Sequence, residues 1–155
     1  MAKHKKKKSL LNYIKYGAVV FTILGICMAA LPFVTKEKIN YSGLQVIFGF
    51  SEQGGMLLLN QLSFSFMAFL TVILPIIGCF SVLFNNTLVR IVGTLFMFVG
   101  SILSLFILSF VNYANVETQV IMQGAGLGIG AILMIIFFVL ATACCFYSII
   151  EKDVY

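Results

Sequence analysis

Residues with the reactivity to do chemistry are few. The 155-residue chain holds one histidine, five acids, ten lysines and arginines together, and four cysteines. Acid–base, nucleophilic and metal-assisted reactions need such groups gathered in one site. His4 stands alone among lysines, so no histidine dyad or histidine-based metal cluster can form. The acids Glu37, Glu52, Glu117, Glu151 and Asp153 all fall outside the long apolar runs. Cys27, Cys79, Cys144 and Cys145 fall inside them, which reads as small packing residues and not as a disulfide framework. The serines and threonines of those runs have no base nearby in sequence. The glycine run Gly124–Gly130 lacks the lysine and the preceding strand of a phosphate loop. The expectation is a protein that is not an enzyme, with no catalytic residues, no cofactor and no metal.

The elements that carry these residues are legible from composition. The chain is 61% hydrophobic and only 10% charged, where soluble domains carry about 25% charge. That implies an all-α integral membrane protein: four transmembrane helices in a bundle over 16–150. The spans are read at about 16–35, 57–84, 91–111 and 120–148. The uncharged stretch Thr118–Ile150 is 33 residues, roughly 50 Å as a helix against a bilayer core of about 30 Å. A basic tail, 1–15, precedes the spans, and a short tail, 151–155, follows. Lys3, Lys5, Lys6, Lys7, Lys8, Lys15, Arg90 and Lys152 fall on one side of the membrane in this reading, with only Lys36 and Lys38 on the other. The positive-inside rule then puts both termini in the cytoplasm, of a plasma membrane by expectation. The tail lysines Lys3 and Lys5–Lys8 are expected to meet an anionic lipid leaflet. The net charge of +5 lies mostly in that tail and does not call for nucleic acid. A basic start before an apolar run is also the mark of a signal peptide. However, Ile26 before Cys27 is too large for a lipoprotein cleavage box, and the run is read as a retained span.

Small residues recur at helical spacing. Gly25 with Ala29, Gly93 with Gly100 and Ser104, Gly124 with Gly128, and Gly126 with Gly130 each suggest a face on which membrane helices approach closely. Pro75 predicts a kink in the second span. The turn 85–90 places Arg90 outside the spans. Between the first two spans, residues 36–56 form the one sizeable loop, expected to be a small external hairpin cap or a segment on the membrane surface. Its apolar residues Leu44, Val46, Phe48 and Phe50 are the candidate partner contacts.

Four spans, inner termini and a larger first external loop resemble the general plan of claudin-like membrane proteins, and Ser42-Gly43-Leu44 is similar to part of their Gly-Leu-Trp element. The chain has no tryptophan and no cysteine pair in that loop, so the resemblance implies shared architecture and not function. No ionisable residue falls in the middle of a predicted span, which argues against a proton-coupled transporter. What is left is a non-catalytic accessory, scaffold or partner-binding subunit of a membrane complex, its partner another membrane protein or a copy of itself. The alternative is an oligomeric channel or facilitator for small neutral or hydrophobic solutes, with Asn112 and Gln123 as its polar candidates.

Overall fold

The computed structural model describes residues 2–36, 39–54, 57–84, 86–115 and 125–153. It is mostly helical, with two small sheets at one end. Helix α1 runs Ala2–Cys27 and ends in a 3-10 turn, Met28–Ala30. Strands β1 (Pro32–Lys36) and β2 (Ile39–Ser42) lead to a short helix α2 (Gly43–Phe48). Strands β3 (Phe50–Gly54) and β4 (Leu57–Leu62) precede α3 (Phe66–Leu83). Helices α4 (Thr87–Leu105) and α5 (Ile107–Ala114) follow, then strand β5 (Gly126–Leu127) and α6 (Ile129–Asp153).

Four segments are long and apolar enough to cross a membrane: Asn12–Ala30, Phe66–Leu83, Thr87–Leu105 and Ile129–Ile150. Eighteen residues of α3 make about 27 Å of helix, close to the thickness of a bilayer core. Their outer faces stay apolar, with Ile23, Ile77, Leu95 and Val139 all exposed. Such a surface suits lipid and not water. Helix α1 packs on α6, α6 on α4, α4 on α3 and α3 on α1. Each of the first three pairs is antiparallel: Gly25 meets Phe138, Arg90 meets Ser148, and Gly100 meets Pro75. The start of α1 and the end of α6 therefore lie at the same end of the helices, away from the sheets.

The sheets correct the all-α expectation. In the first, β1 is central, antiparallel to β2 on one side and to β5 on the other. In the second, β3 and β4 form a hairpin with an irregular register between Glu52 and Gln53. The cap thus draws on the segment before α6 as well as on the first loop. Phe33 and Val34 of β1, Tyr41 of β2, and Val46 and Ile47 of α2 form one core with Ile107, Val111, Ala131, Met134 and Phe138. A second core, towards the other end, joins Ala18, Cys79, Val82, Met97, Ala141 and Cys145.

Local capping explains where the helices begin. Ser65 Oγ accepts from Ala68 N at 3.3 Å, so α3 starts at Phe66 and not at 57, and Leu57–Leu62 is a strand. Asn86 Oδ1 accepts from Leu88 N at 2.9 Å, so α4 starts at Thr87 and takes in Arg90. The expected span 91–111 is broken at Phe106, which caps the end of α4 and the start of α5. The last span starts at Ile129 and not near 120.

Candidate functional site

Side chains with polar or ionic chemistry converge where α4 packs on α6. Arg90 is 1% exposed. Its guanidinium donates to the Ser148 carbonyl oxygen and, at 3.0 Å, to Ser148 Oγ. Ser148 Oγ in turn donates to Cys145 O at 2.8 Å. An arginine in the first turn of its own helix sits at the unfavourable end of that helix dipole. Its head, however, reaches oxygen acceptors on Ser148, in the C-terminal part of α6. The turn position expected for Arg90 is thereby corrected: the residue is buried and ties two of the apolar helices together.

Three turns further along α4, Ser101 makes the second polar link. Its hydroxyl lies 2.8 Å from Thr142 Oγ1 and 3.2 Å from Phe138 O, both on α6. Thr142 also donates to Phe138 O at 2.8 Å, and Ser101 to Met97 O at 2.9 Å. Four further buried hydroxyls bond within their own helices, Thr22 to Ala18 O, Thr71 to Ala68 O, Thr94 to Arg90 O and Ser104 to Ser101 O, while Ser65 Oγ donates to Phe110 O of α5 at 3.5 Å. These buried hydroxyls are thus satisfied by nearby backbone carbonyls, as a low-dielectric interior requires.

Beside the Ser101–Thr142 pair, a groove of about 300 Å³ lies between α4 and α6. Its walls are Phe98, Ile102 and Leu105 on α4 and Val139 and Phe146 on α6, with Ser101, Thr142 and Ala143 beneath. The rings of Phe98 and Phe146 meet edge to face, centroids 6.0 Å apart. They stand between the groove and the Arg90 end of the interface.

The residues expected at helix contacts divide. Gly25 faces the Phe138 ring of α6. Gly93 faces Gly78 and Ser81 of α3, and Gly100 receives the Pro75 ring. Pro75 lies within an unbroken α3 and fits this gap. Ser104 is buried beside Ser101. Ala29 meets Gly43 of the cap and shares a core with Ala131 and Met134 of α6. Gly126 and Gly128 are not helical, so the paired faces read from 124–130 do not exist. Gly126 is in β5, and a methyl there would touch nothing within 4 Å. Gly128 donates to Phe33 O at 2.7 Å and lies against the Pro32 carbonyl. Gly130, in α6, packs on Met28 and Leu31. Gly124 and Gln123 lie outside the described residues, as do the side chains of Lys3, Lys5, Lys6, Lys7 and Lys8.

The candidate partner contacts divide too. Leu44 and Phe48 are exposed on α2. Val46 is 1% exposed, and Phe50 packs against the core of the cap. Val46 therefore cannot meet a partner: an alternating strand pattern was expected here, whereas a helical turn directs it inward. Sequence reasoning missed Asn115, which closes the cap. Its Oδ1 accepts from Ser63 N at 2.8 Å and its Nδ2 donates to Val111 O at 2.7 Å, joining the end of α5 to the approach to α3. Asparagine after a helical run is a recognised stop signal, but its partner 52 residues away leaves no local mark. Among the described residues no three metal-ligating side chains come together. No protein-family model, curated protein or solved structure matches this chain.

Proposed function

We propose that this chain is a non-catalytic integral membrane protein that serves as a partner-binding subunit of a membrane complex. In this reading the four apolar helices form a transmembrane bundle of the cell membrane, with both termini cytoplasmic and the sheets outside. The basic tail lies against the anionic inner leaflet. The groove between α4 and α6 takes a transmembrane helix, from another membrane protein or from a second copy.

The groove carries this reading. It opens on the lipid-facing side of two apolar helices, and small residues line its floor. Helix association in lipid depends on such close approach, since burial from water no longer drives it. Aromatic and aliphatic walls around a small-residue floor fit a protruding side chain of a neighbouring helix. The hydroxyls inside the interface are already bonded to one another or to backbone, so they serve packing and not a water path.

Extraction in mild detergent tests the proposal. The protein is expected to migrate as an assembly larger than its 17.1 kDa chain. Ala143 is exposed on the groove floor, so Ala143→Phe fills the groove from outside. A clash of about 1–3 kcal/mol weakens the association roughly 5- to 150-fold, while the thermal stability of the isolated chain stays unchanged. A lone wild-type monomer with no co-purifying membrane protein refutes the reading, and so does a variant that assembles as well as wild type.

A further inference from the structure

We infer that α2 is a membrane-interface anchor: Leu44 and Phe48, with Phe64, Phe66 and Met67 beside them, sit in the lipid boundary at the cap end of the helices. Leu44 and Phe48 are one helical turn apart, so they share a face, and they are 52% and 59% exposed. The other face of α2, Val46 and Ile47, is in the cap core. A six-residue helix does not hold itself together in water. This one is closed by a reciprocal cap, in which Gln45 N donates to Ser42 Oγ and Ser42 N donates to Gln45 Oε1 at 2.9 Å.

The level of α2 is fixed at both ends by the apolar spans. At its start, Gly43 N donates to Leu31 O at 3.3 Å, and a methyl on Gly43 would stand 2.9 Å from Ala29 Cα. The first apolar span ends at Ala30. At its end, Ser65 N donates to Ile47 O at 3.2 Å, one residue before the next span begins at Phe66. The Phe48 ring stands edge to face on Phe69, in the first turn of that span, with centroids 6.1 Å apart. Phe64 approaches the same Phe69 ring at 6.0 Å. Phe66 and Met67 expose their side chains in the same turn. The exposed face of α2 is therefore continuous with the lipid-facing surface of α3. It carries no charge, and it lies at the depth where interfacial helices bury an apolar face. The occupant is the lipid of that leaflet and not a soluble partner.

The chain contains no tryptophan, so each single tryptophan introduced is the only one. Phe48→Trp, Ile39→Trp and Ile77→Trp would be placed separately in vesicles of dibrominated phosphatidylcholine, with iodide as the aqueous quencher. Ile39 pairs with Lys36 in β2, at the end of the β1–β2 ladder farther from Pro32. Ile77 lies well inside the α3 span. Bromolipid is expected to reduce Phe48→Trp and Ile77→Trp emission to roughly half or less, with little effect of iodide, as for side chains below the headgroups. Ile39→Trp is expected to show the reverse. The inference rests on α3 being a span. Iodide quenching of Phe48→Trp while Ile77→Trp stays lipid-quenched overturns the anchor alone and leaves the face open to a protein partner. Loss of lipid quenching at Ile77→Trp overturns the span and the anchor with it. Should Phe48→Trp fail to fold, Leu44→Trp gives the same readout from the same face.

Discussion

The α3–α4 contact yields the sharpest prediction, because glycines face each other there. A methyl on Gly93 would stand 3.0 Å from the Gly78 carbonyl oxygen and against the Ser81 side chain. A methyl on Gly78 would stand 2.8 Å from Met97 N. Both obstacles include backbone, which cannot rotate away, so either alanine forces the helices apart. Gly17 on α1 differs: its methyl would lie 3.8 Å from Cys144 Sγ, an ordinary contact. Replacing a mid-helix glycine by alanine favours the helix by about 1 kcal/mol. Overpacking costs about 1–3 kcal/mol. Gly17→Ala is therefore expected to stabilise the protein by up to about 1 kcal/mol, and Gly93→Ala to destabilise it by up to about 2 kcal/mol. The propensity gain cancels between the two variants, so their difference isolates the clash, roughly 1–3 kcal/mol. Once Gly93→Ala has separated the helices, adding Gly78→Ala should cost less than it does alone. Reversible unfolding in mixed detergent micelles, followed by circular dichroism, measures all four variants. Equal stability of Gly17→Ala and Gly93→Ala, or strict additivity at 78 and 93, would refute the packing described.

Ser101→Ala removes the hydroxyl that reaches Thr142 and Phe138, and the same unfolding assay should register a loss near the average of about 0.6 kcal/mol for such links in membranes. Arg90→Glu sets a carboxylate against the Ser148 carbonyl of α6; pulse-chase of membrane fractions should show the variant degraded, whereas Arg90→Lys retains a donor and accumulates. Cysteine-free protein carrying Ile39→Cys should react with a membrane-impermeant maleimide in intact cells, while Asn12→Cys should react only after permeabilisation. Labelling of both positions from outside would overturn the orientation.

The apolar spans were legible because length and composition alone report them. Their limits were less so, for identifiable reasons. The glycines of 124–130 have the spacing of a helix face, but glycine is a weak helix former, and Gly126 and Leu127 pair instead with Thr35 and Val34. That pairing joins residues about ninety positions apart and leaves no periodic trace. Ser65 and Asn86 carried the signal for the true helix starts, yet Ser65 stands within an apolar stretch that reads as one span from 57, and Asn86 within the run 85–90 that reads whole as a turn. Gly93 and Gly100 were recognisable by their spacing, although Gly78 and Pro75, which complete that contact, read instead as a kink. Arg90 looked like a turn residue because its acceptor lies 58 positions away.

Arg90 and Ser148 also account for how the α4–α6 interface is divided. An arginine offers donors only, so burying it requires oxygen acceptors. Ser148 can serve because its own proton goes to Cys145 O, which leaves its lone pairs turned to the guanidinium. The chain of donation therefore runs from Arg90 of α4 through Ser148 Oγ to Cys145 O of α6. Separating the helices at this point would take these acceptors from the guanidinium, at a cost of about 1.5–3 kcal/mol for bonds to a charged group. Beyond the Phe98–Phe146 pair no such penalty applies. The Ser101 and Thr142 hydroxyls retain backbone acceptors on their own helices, Met97 O and Phe138 O, and the groove is otherwise apolar. The interface is thus held by a buried cation at one end and by apolar packing at the groove, which is the distribution the proposed docking of another helix requires.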